Sequence, residues 1–388
     1  MKRVLATGLV VTATWATSVS AQQSTAAENA ALRSELESLR NRVEQLEGAG
    51  PSETDAASRI SVSGDFRFRH EYIDDADAST DRNRQRIRAR LNIGADLGDD
   101  LEVGFTLATG ATDPVSANQT LGDSFTRKDI GLDRAFFRWN VSDDVTLEGG
   151  KIGVPWFRPG GFHLLYDSDL NPEGLFLGYD GDHFFANIGG FWLNERGGSD
   201  QDSILYSLQG GYKAMIGDAE LTFGGSYFNY DNVQGFLPLW EGSPEGNTVD
   251  LAGNLINDYD LAEVFAQADF DVGKHPLRLF LDYVENTAAD TLNTGYAVGV
   301  RWRRASAPGT WDVTWAYEDL EADAVIGTYT DSDFGSGGTD GKGHELKTTY
   351  VLRDNVRLGG TLFINEIDEA LNNKHDYSRL QLDINFLF

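Results

Sequence analysis

The 388-residue chain carries 32 basic and 61 acidic side chains, no cysteine, 43 glycines and 9 prolines, and aromatic residues make up 11% of it. A net charge of −29 argues against a nucleic acid partner, because binding to phosphates needs a dense basic surface. The lack of cysteine excludes disulfides, cysteine-ligated metals, iron–sulfur clusters and thiol catalysis. Abundant glycine and aromatic residues favour many strands joined by tight turns over a disordered acidic chain.

Residues 1–21 have the pattern of a secretory signal peptide. Lys2 and Arg3 precede an apolar run over residues 4–19, and small residues before Gln22 mark a cleavage site. The alternative is a transmembrane anchor, although the run is short for a membrane span.

Residues 22–50 contain a short heptad pattern that predicts a coiled-coil helix. The apolar residues are spaced by four and three positions in turn, and they are Leu32, Leu36, Leu39, Val43 and Leu46. A seam this short is marginal in isolation, so we expect it to join subunits that are held together elsewhere. The alternative is a helix that packs on its own chain. Residues 51–58 then form a linker.

From residue 59 to residue 388 the chain shows sixteen segments of alternating apolar and polar residues. The predicted strands are 59–73, 82–97, 101–111, 128–141, 145–153, 174–180, 183–194, 203–214, 219–230, 260–272, 277–286, 294–305, 310–319, 343–353, 355–366 and 376–388. This pattern predicts an all-β protein, a 16-stranded antiparallel transmembrane β-barrel preceded by the short coiled-coil helix.

The connections between these strands alternate between tight turns and long polar loops. The longest predicted loops are 112–127, 154–173, 231–259 and 320–342. Transmembrane barrels divide short turns and long loops between their two rims in this way. An even number of strands returns both chain ends to the short-turn rim, which we expect to face the periplasm together with the coiled coil.

Each predicted strand has an apolar face and a polar face. In residues 310–319, for example, the two faces are Trp311, Val313, Trp315 and Tyr317 against Asp312, Thr314 and Glu318. An apolar outer face and a polar inner face suit a lipid-embedded barrel. A soluble sandwich would share the alternation, but sixteen strands with this loop asymmetry fit it poorly.

The chain ends on a strand whose alternate residues are all apolar, finishing with Ile384, Phe386 and Phe388. This ending resembles the C-terminal signature of bacterial outer-membrane β-barrels, which the barrel assembly machinery recognises. Together with the signal peptide, the coiled coil and the sixteen strands, it makes the chain resemble Gram-negative outer-membrane porins. Within these it is similar to porins with an N-terminal periplasmic coiled coil, a group akin to phosphate- and anion-selective porins.

The resemblance implies a location in the cell outer membrane of a Gram-negative bacterium, in contact with lipid and lipopolysaccharide. It also implies a homotrimer with one water-filled pore per subunit, through which small solutes diffuse passively. We expect no cofactor and no metal site.

The resemblance also implies that the loop after the fifth strand folds inward as a constriction. The matching loop is 154–173, which is unusually apolar and aromatic for an exposed loop. The residues that we expect to act there are Arg158, His163, Asp167, Asp169 and Glu173. The alternative is an ordinary surface loop whose tip touches the membrane.

A ladder of arginines is the clearest chemical feature of the sequence. The second predicted strand places Arg82, Arg84, Arg86, Arg88 and Arg90 on one face. The first predicted strand adds Arg67 and Arg69, and the fourth adds Arg134 and Arg138. Each arginine that faced lipid at the bilayer midplane would cost about 2–4 kcal/mol, so these side chains must line water. We expect a basic pore wall that prefers anions, faced by Asp167, Asp169 and Glu173. The alternative is that the arginines pair with Asp65, Glu71 and Glu102 and only brace the wall.

Loop acids, histidines and the N-terminal helix each suggest a further role. Acidic residues in loops, such as Asp74, Asp75, Asp77, Asp331, Asp333 and Asp340, lack the spacing of a calcium loop and are expected to be solvated. No histidine lies in a catalytic or metal-binding motif, so we expect no enzyme; the six are His70, His163, His183, His275, His344 and His375. The remaining rival is a non-conducting barrel that tethers the outer membrane to peptidoglycan through its helix.

Overall fold

The computed structural model describes residues 34, 36–41, 59–98, 100–110, 112–198, 201–370 and 373–388. The chain divides into two compact units, Met1–Ile60 and Ser61–Phe388. In the first unit, residues 34 and 36–41 are helical, and Leu36 and Leu39 are exposed. The predicted signal peptide, the linker and three seam residues lie outside the described residues; the three are Leu32, Val43 and Leu46. No helix in the described ranges is long and apolar enough to cross a membrane.

The second unit is built almost entirely from strands. In chain order they are β1 (Ile60–Asp75), β2 (Arg82–Gly98), β3 (Leu101–Thr109), β4 (Gln119–Thr120), β5 (Ile130–Ser142), β6 (Val145–Lys151), β7 (Glu173–Asp180), β8 (Phe184–Asn194), β9 (Ser203–Ile216), β10 (Ala219–Asp231), β11 (Tyr259–Val272), β12 (His275–Asn286), β13 (Thr294–Arg303), β14 (Trp311–Leu320), β15 (Gly341–Arg353), β16 (Val356–Ile367) and β17 (His375–Leu387). Three single-turn 3-10 helices lie in loops, at Pro159–Gly161, Gly327–Tyr329 and Phe334–Ser336.

Sixteen long strands close into an antiparallel barrel, which confirms the predicted fold class. The short strand β4 lies in the loop between β3 and β5 and pairs with β2, while β3 pairs directly with β5. The last strand, β17, pairs antiparallel with β1, with Arg69 opposite Asp383. Backbone hydrogen bonds between Gly64 and Phe388, of 2.8 and 3.1 Å, extend this seam to the last residue. Closure satisfies the backbone groups that an open edge would expose to lipid.

The two faces of the wall alternate as the sequence predicts. On β9, Tyr206 and Leu208 point outward and are 50% and 58% exposed, whereas Ser207 and Gln209 point inward and are buried. The same alternation places Leu279 and Leu281 outside and Asp282 inside on β12. Apolar side chains therefore cover the outer surface, where lipid replaces water.

One side of the barrel departs from the expected polar interior. The inner faces of β8 to β12 carry aromatic side chains that are buried inside the barrel, namely Phe185, Phe191, Phe228, Phe265 and Phe280. The reason is that these rings do not face water. They form an apolar surface, called the dry seat below, on which a loop that enters the barrel packs.

That loop, residues 152–172, connects β6 to β7 and is called the inward loop below. The Trp156 ring stacks on Tyr166, with ring centroids 4.5 Å apart. It also meets the edges of Phe191 and Phe228 at 5.3 and 5.2 Å. These contacts bury apolar surface that a freely exposed loop would leave in water, so they hold the loop against the wall.

Polar side chains of the wall complete this seat. Gln209 accepts a 2.7 Å hydrogen bond from the Phe157 backbone N–H and donates a 3.0 Å bond to the Phe157 carbonyl. Gln267 accepts the Gly160 N–H at 2.8 Å, and Arg301 donates to the Gly160 carbonyl at 3.0 Å. Buried backbone groups of the loop thereby find partners that water would otherwise supply.

The outward face can be tested with one charged substitution. Leu208→Arg places a guanidinium in lipid and should lower the free energy of unfolding by about 2–4 kcal/mol. The matched control is Thr349→Arg, at an inward position that lines a cavity, which should cost less than about 1 kcal/mol. Urea unfolding in lipid vesicles measures both, and equal costs would contradict the assignment of the two faces.

Adjacent glycines test the seat of the inward loop. Gly160 and Gly161 both have φ of +67°, so alanine at either should cost about 1–2 kcal/mol in backbone strain. A Cβ on Gly160 would lie 2.4 Å from the Phe280 ring, whereas one on Gly161 meets no atom within 4 Å. Gly160→Ala should therefore push the loop away from the wall and reduce single-channel conductance, while Gly161→Ala should leave conductance unchanged. The same conductance in both variants would show that the loop does not depend on this contact.

Candidate functional site

Opposite the dry seat, the inner faces of three adjacent strands form a basic surface that we call the arginine wall. The two-residue period of a strand places its members on one face of β1, β2 and β17, and they are Arg67, Arg69, Arg84, Arg86, Arg88, Arg90 and Arg379. Five carboxylates pair with them, namely Asp65, Glu71, Asp169, Asp333 and Asp383. Arg82, at the start of β2, is exposed and lies outside the wall.

Two acidic residues of β1 brace most of the ladder. Glu71 is fully buried and is contacted by the guanidiniums of Arg84, Arg86 and Arg379, the last at 2.9 Å. Asp65 holds Arg88 at 3.1 Å and Arg90 at 2.7 Å. The alternative from the sequence, in which the arginines only brace the wall, predicts ion pairs between them and both Asp65 and Glu71. These ion pairs are present.

The inward loop contributes a carboxylate to the same surface. Asp169 lies 3.2 Å from Arg88 Nη1 and 3.4 Å from Arg90 Nη1. Burial raises the pKa of Asp169, but the charges of these two arginines outweigh it and hold the pKa below its usual range. Asp169 is therefore ionised and draws the loop toward the wall.

A second loop, residues 321–340, supplies Asp333 to the other end of the wall. Its carboxylate contacts Arg69 at 2.9 Å and Arg379 at 2.8 Å. Burial raises the pKa of Asp333, but the two guanidiniums outweigh this effect and hold the pKa well below its usual range. The two ion pairs join this loop to β1 and β17.

Arg67 differs from the other members of the wall. Within the described residues no carboxylate lies within 4.0 Å of its guanidinium, which instead donates to the side-chain oxygen of Asn118. Its Nε, like those of Arg86, Arg88 and Arg379, is buried and has no hydrogen-bond partner in the described ranges. The wall of seven arginines and five carboxylates thus keeps an excess of positive charge, and Arg67 carries part of it.

Two cavities meet at Asp169. One, of about 370 Å³, is lined by Arg67, Arg88 and Arg90 and reaches Asn385 near the short-turn rim. The other, of about 850 Å³, is lined in part by Thr112, Trp240 and Tyr329 of three long loops. Because Asp169 lines both, the contact of the inward loop with the arginine wall lies between the two spaces.

Some residues that the sequence predicts for the site lie outside the arginine wall. The prediction that Glu173 belongs to the inward loop and faces the arginines is wrong. Glu173 is the first residue of β7 rather than part of the loop, and its exposed side chain pairs with Lys151 at 2.9 Å. It does not face the arginines because the strand begins one residue earlier than expected. Arg158 donates to the Tyr166 carbonyl at 3.1 Å and so braces the inward loop internally.

The two arginines of β5 form a separate group. Arg138 lies between Glu148, at 2.8 Å, and Glu102, at 3.6 Å. The guanidinium carbon of Arg134 lies 4.9 Å from the centre of the Phe136 ring. These contacts stabilise the barrel locally at β5, and the arginine wall does not extend to this strand.

Four residues of the site were missed by reasoning from the sequence. Arg379 and Asp383 lie on the polar face of the last strand, opposite Leu380 and Leu382, so strand alternation alone could have found them. Asn118 lies in a long loop, where no periodic signal shows which side chains turn into the barrel. Asp333 lies in another, and the expectation that it is solvated is wrong, because it turns inward between Arg69 and Arg379.

Comparison with known proteins places this architecture in a family. Residues 70–247 and 243–388 match the model of a family described as "Putative porin". No curated protein matches the sequence.

Solved porin structures share the fold at low sequence identity. OprB of Pseudomonas putida is 14% identical, with a TM-score of 0.59 and coverage of 86% of this chain and 96% of that chain. A triple mutant of the Rhodopseudomonas blastica porin is 12% identical, with a TM-score of 0.53 over 85% and 100% of the two chains. A loop-deletion mutant of the outer-membrane protein OmpT of Vibrio cholerae is 13% identical, with a TM-score of 0.50 over the same shares.

The family model covers most of the barrel, and the closed sixteen-stranded fold agrees with it. The chain belongs to this porin family and is a pore-forming protein of the outer membrane.

Proposed function

We propose that the protein is an anion-preferring porin, through which small hydrophilic solutes and ions diffuse passively. The observation that carries the proposal is Arg67, a half-buried arginine without a carboxylate partner among the described residues, in a wall with more arginines than acids. The family and the fold are those of channels, which also argues against an enzyme.

Local charge, rather than the charge of the whole chain, decides which ions enter a pore. The net charge of −29 includes many acids in exposed positions, such as Asp74, Asp143 and Asp144. A charged wall beside a narrow aqueous space concentrates counter-ions and excludes ions of its own sign. The arginine wall, which has more guanidiniums than carboxylates and contributes Arg67, Arg88 and Arg90 to the smaller cavity, therefore favours anions on its side of the passage. Carboxylate or phosphate groups can bind guanidinium in a forked geometry.

The inward loop supports a role as a constriction. Its dry face is packed on the wall, and its acidic face meets Arg88 and Arg90 between the two cavities. A carboxylate on one side and arginines on the other produce a field across the passage. Such a field orients dipolar solutes and limits passage by size and charge.

The remaining parts of the proposal concern assembly. Residues 1–21 direct secretion, Phe388 and the strand before it are read by the barrel assembly machinery, and residues 22–50 form a periplasmic coiled coil within a homotrimer. Support comes from the strand count, since sixteen long strands bring the start of β1 and the end of β17 to the rim with the two-residue turns.

Reversal potentials in planar bilayers under a KCl gradient test the selectivity. The parent protein should favour chloride, and Arg67→Gln should lower the chloride-to-potassium permeability ratio by up to about thirtyfold. One charge at 4 Å in water attracts an anion and repels a cation by about 1 kcal/mol each. The matched control is Arg138→Gln, because Arg138 is balanced by Glu102 and Glu148 and should change the ratio little.

Two results would contradict the proposal. Cation selectivity of the parent protein, or the same ratio before and after Arg67→Gln, would exclude the arginine wall as the source of selectivity. The absence of stable conductance would instead favour a non-conducting barrel that tethers the membrane to peptidoglycan.

A further inference from the structure

A histidine and two aspartates meet where they line the smaller cavity. His163 and Asp167 come from the inward loop, and Asp331 comes from the loop between β14 and β15. One donor atom from each lies within 4.8 Å of the other two, and His163 Nδ1 lies 3.5 Å from Asp331 Oδ2. Ligands of a tetrahedral metal at 2.0–2.2 Å are separated by about 3.5 Å, so small side-chain movements would bring all three to one ion.

Backbone donors already orient both carboxylates. The Asp169 and Ser332 N–H groups donate to the two oxygens of Asp167 at 2.7 and 3.0 Å. The Asp333 N–H donates to Asp331 at 2.8 Å, and the Asp167 N–H donates to the Tyr329 carbonyl at 2.8 Å. Outer hydrogen bonds of this kind fix ligand orientation in metal sites.

A further carboxyl group is buried beside this cluster. Glu318, on the inner face of β14, is 3% exposed, and its Oε2 has no hydrogen-bond partner in the described part of the chain. Among charged groups, Asp331 acts on Glu318 most strongly, followed by Glu345, so three carboxylates repel one another here. Lys347 and His163 are the basic residues that act on Glu345. Buried negative charge is costly unless a cation balances it.

We propose that His163, Asp167 and Asp331 form a binding site for a divalent transition-metal ion such as Zn²⁺. An imidazole nitrogen with carboxylate oxygens suits Zn²⁺, whereas Mg²⁺ and Ca²⁺ prefer oxygen ligands alone. Three protein ligands leave a coordination position toward the cavity of about 370 Å³, which the same three residues line.

Metal binding would have two consequences for the pore. The ion would join the inward loop to the loop between β14 and β15, and it would add positive charge to the cavity that Arg67 lines. The site therefore links metal concentration to the position of the inward loop and to the selectivity of the passage. The sequence did not reveal the site because residues 163, 167 and 331 come together only through the barrel.

Calorimetric titration of Zn²⁺ into the detergent-solubilised full barrel, without a polyhistidine tag, tests the proposal. One zinc ion should bind per subunit, and the same concentration of Mg²⁺ should not displace it. His163→Ala and Asp331→Asn should each weaken binding at least about tenfold, since changes even to outer partners of a metal cost 10–100-fold in affinity.

The matched control is His375→Ala, because His375 also lies beside two aspartates, 3.1 Å from Asp75 and 3.9 Å from Asp368. This variant should bind zinc with the same affinity as the parent protein. Unchanged affinity in His163→Ala, or loss of affinity in His375→Ala instead, would overturn the proposal.

Anomalous diffraction at the zinc edge, measured on soaked crystals of the parent protein, does not depend on the folding of any variant. It should show a peak between the three side chains, and a peak elsewhere or none would reject the site.

Discussion

The structure depends on the requirement that every backbone N–H and C=O group at membrane depth be paired within the chain. Antiparallel pairing of β17 with β1, extended by the two hydrogen bonds between Gly64 and Phe388, closes the ring and removes the free edge. Once the ring is closed, side chains must alternate between lipid and interior. Leu208 and Ser207 therefore have opposite environments although they are neighbours in the sequence.

Closure also creates an interior that must be partly filled. On one side, Trp156, Tyr166 and the phenylalanines of the wall bury the inward loop, and Gln209 and Gln267 pair with its backbone. The opposite side is polar, and ion pairs hold its arginines in place. The loop lies between these two environments. Its apolar face fixes its position, and Asp169 on its other face meets Arg88 and Arg90.

Strand periodicity made the barrel predictable from the sequence, because lipid imposes the same two-residue alternation on every long strand. For the same reason the ladder from Arg84 to Arg90 could be placed on an inner face. Periodicity could not show that Phe191 and Phe280 also point inward, since an aromatic residue on the polar face looks like an exception until the loop that covers it is known. Nor could it find Asp333 or the cluster at His163, because long-range loop contacts have no local signal.

The interior divides into a wet, basic side and a dry side, and the lack of native cysteine allows a direct measurement of this division. Single cysteines would be placed at Thr349, which lines the smaller cavity, and at Ser207, which is buried on the dry side. Their rates of modification would then be measured with anionic and cationic methanethiosulfonate reagents. The account predicts that Thr349→Cys reacts readily, and faster with the anionic reagent, while Ser207→Cys is protected. Equal rates at the two positions, or faster reaction of Thr349→Cys with the cationic reagent, would contradict it.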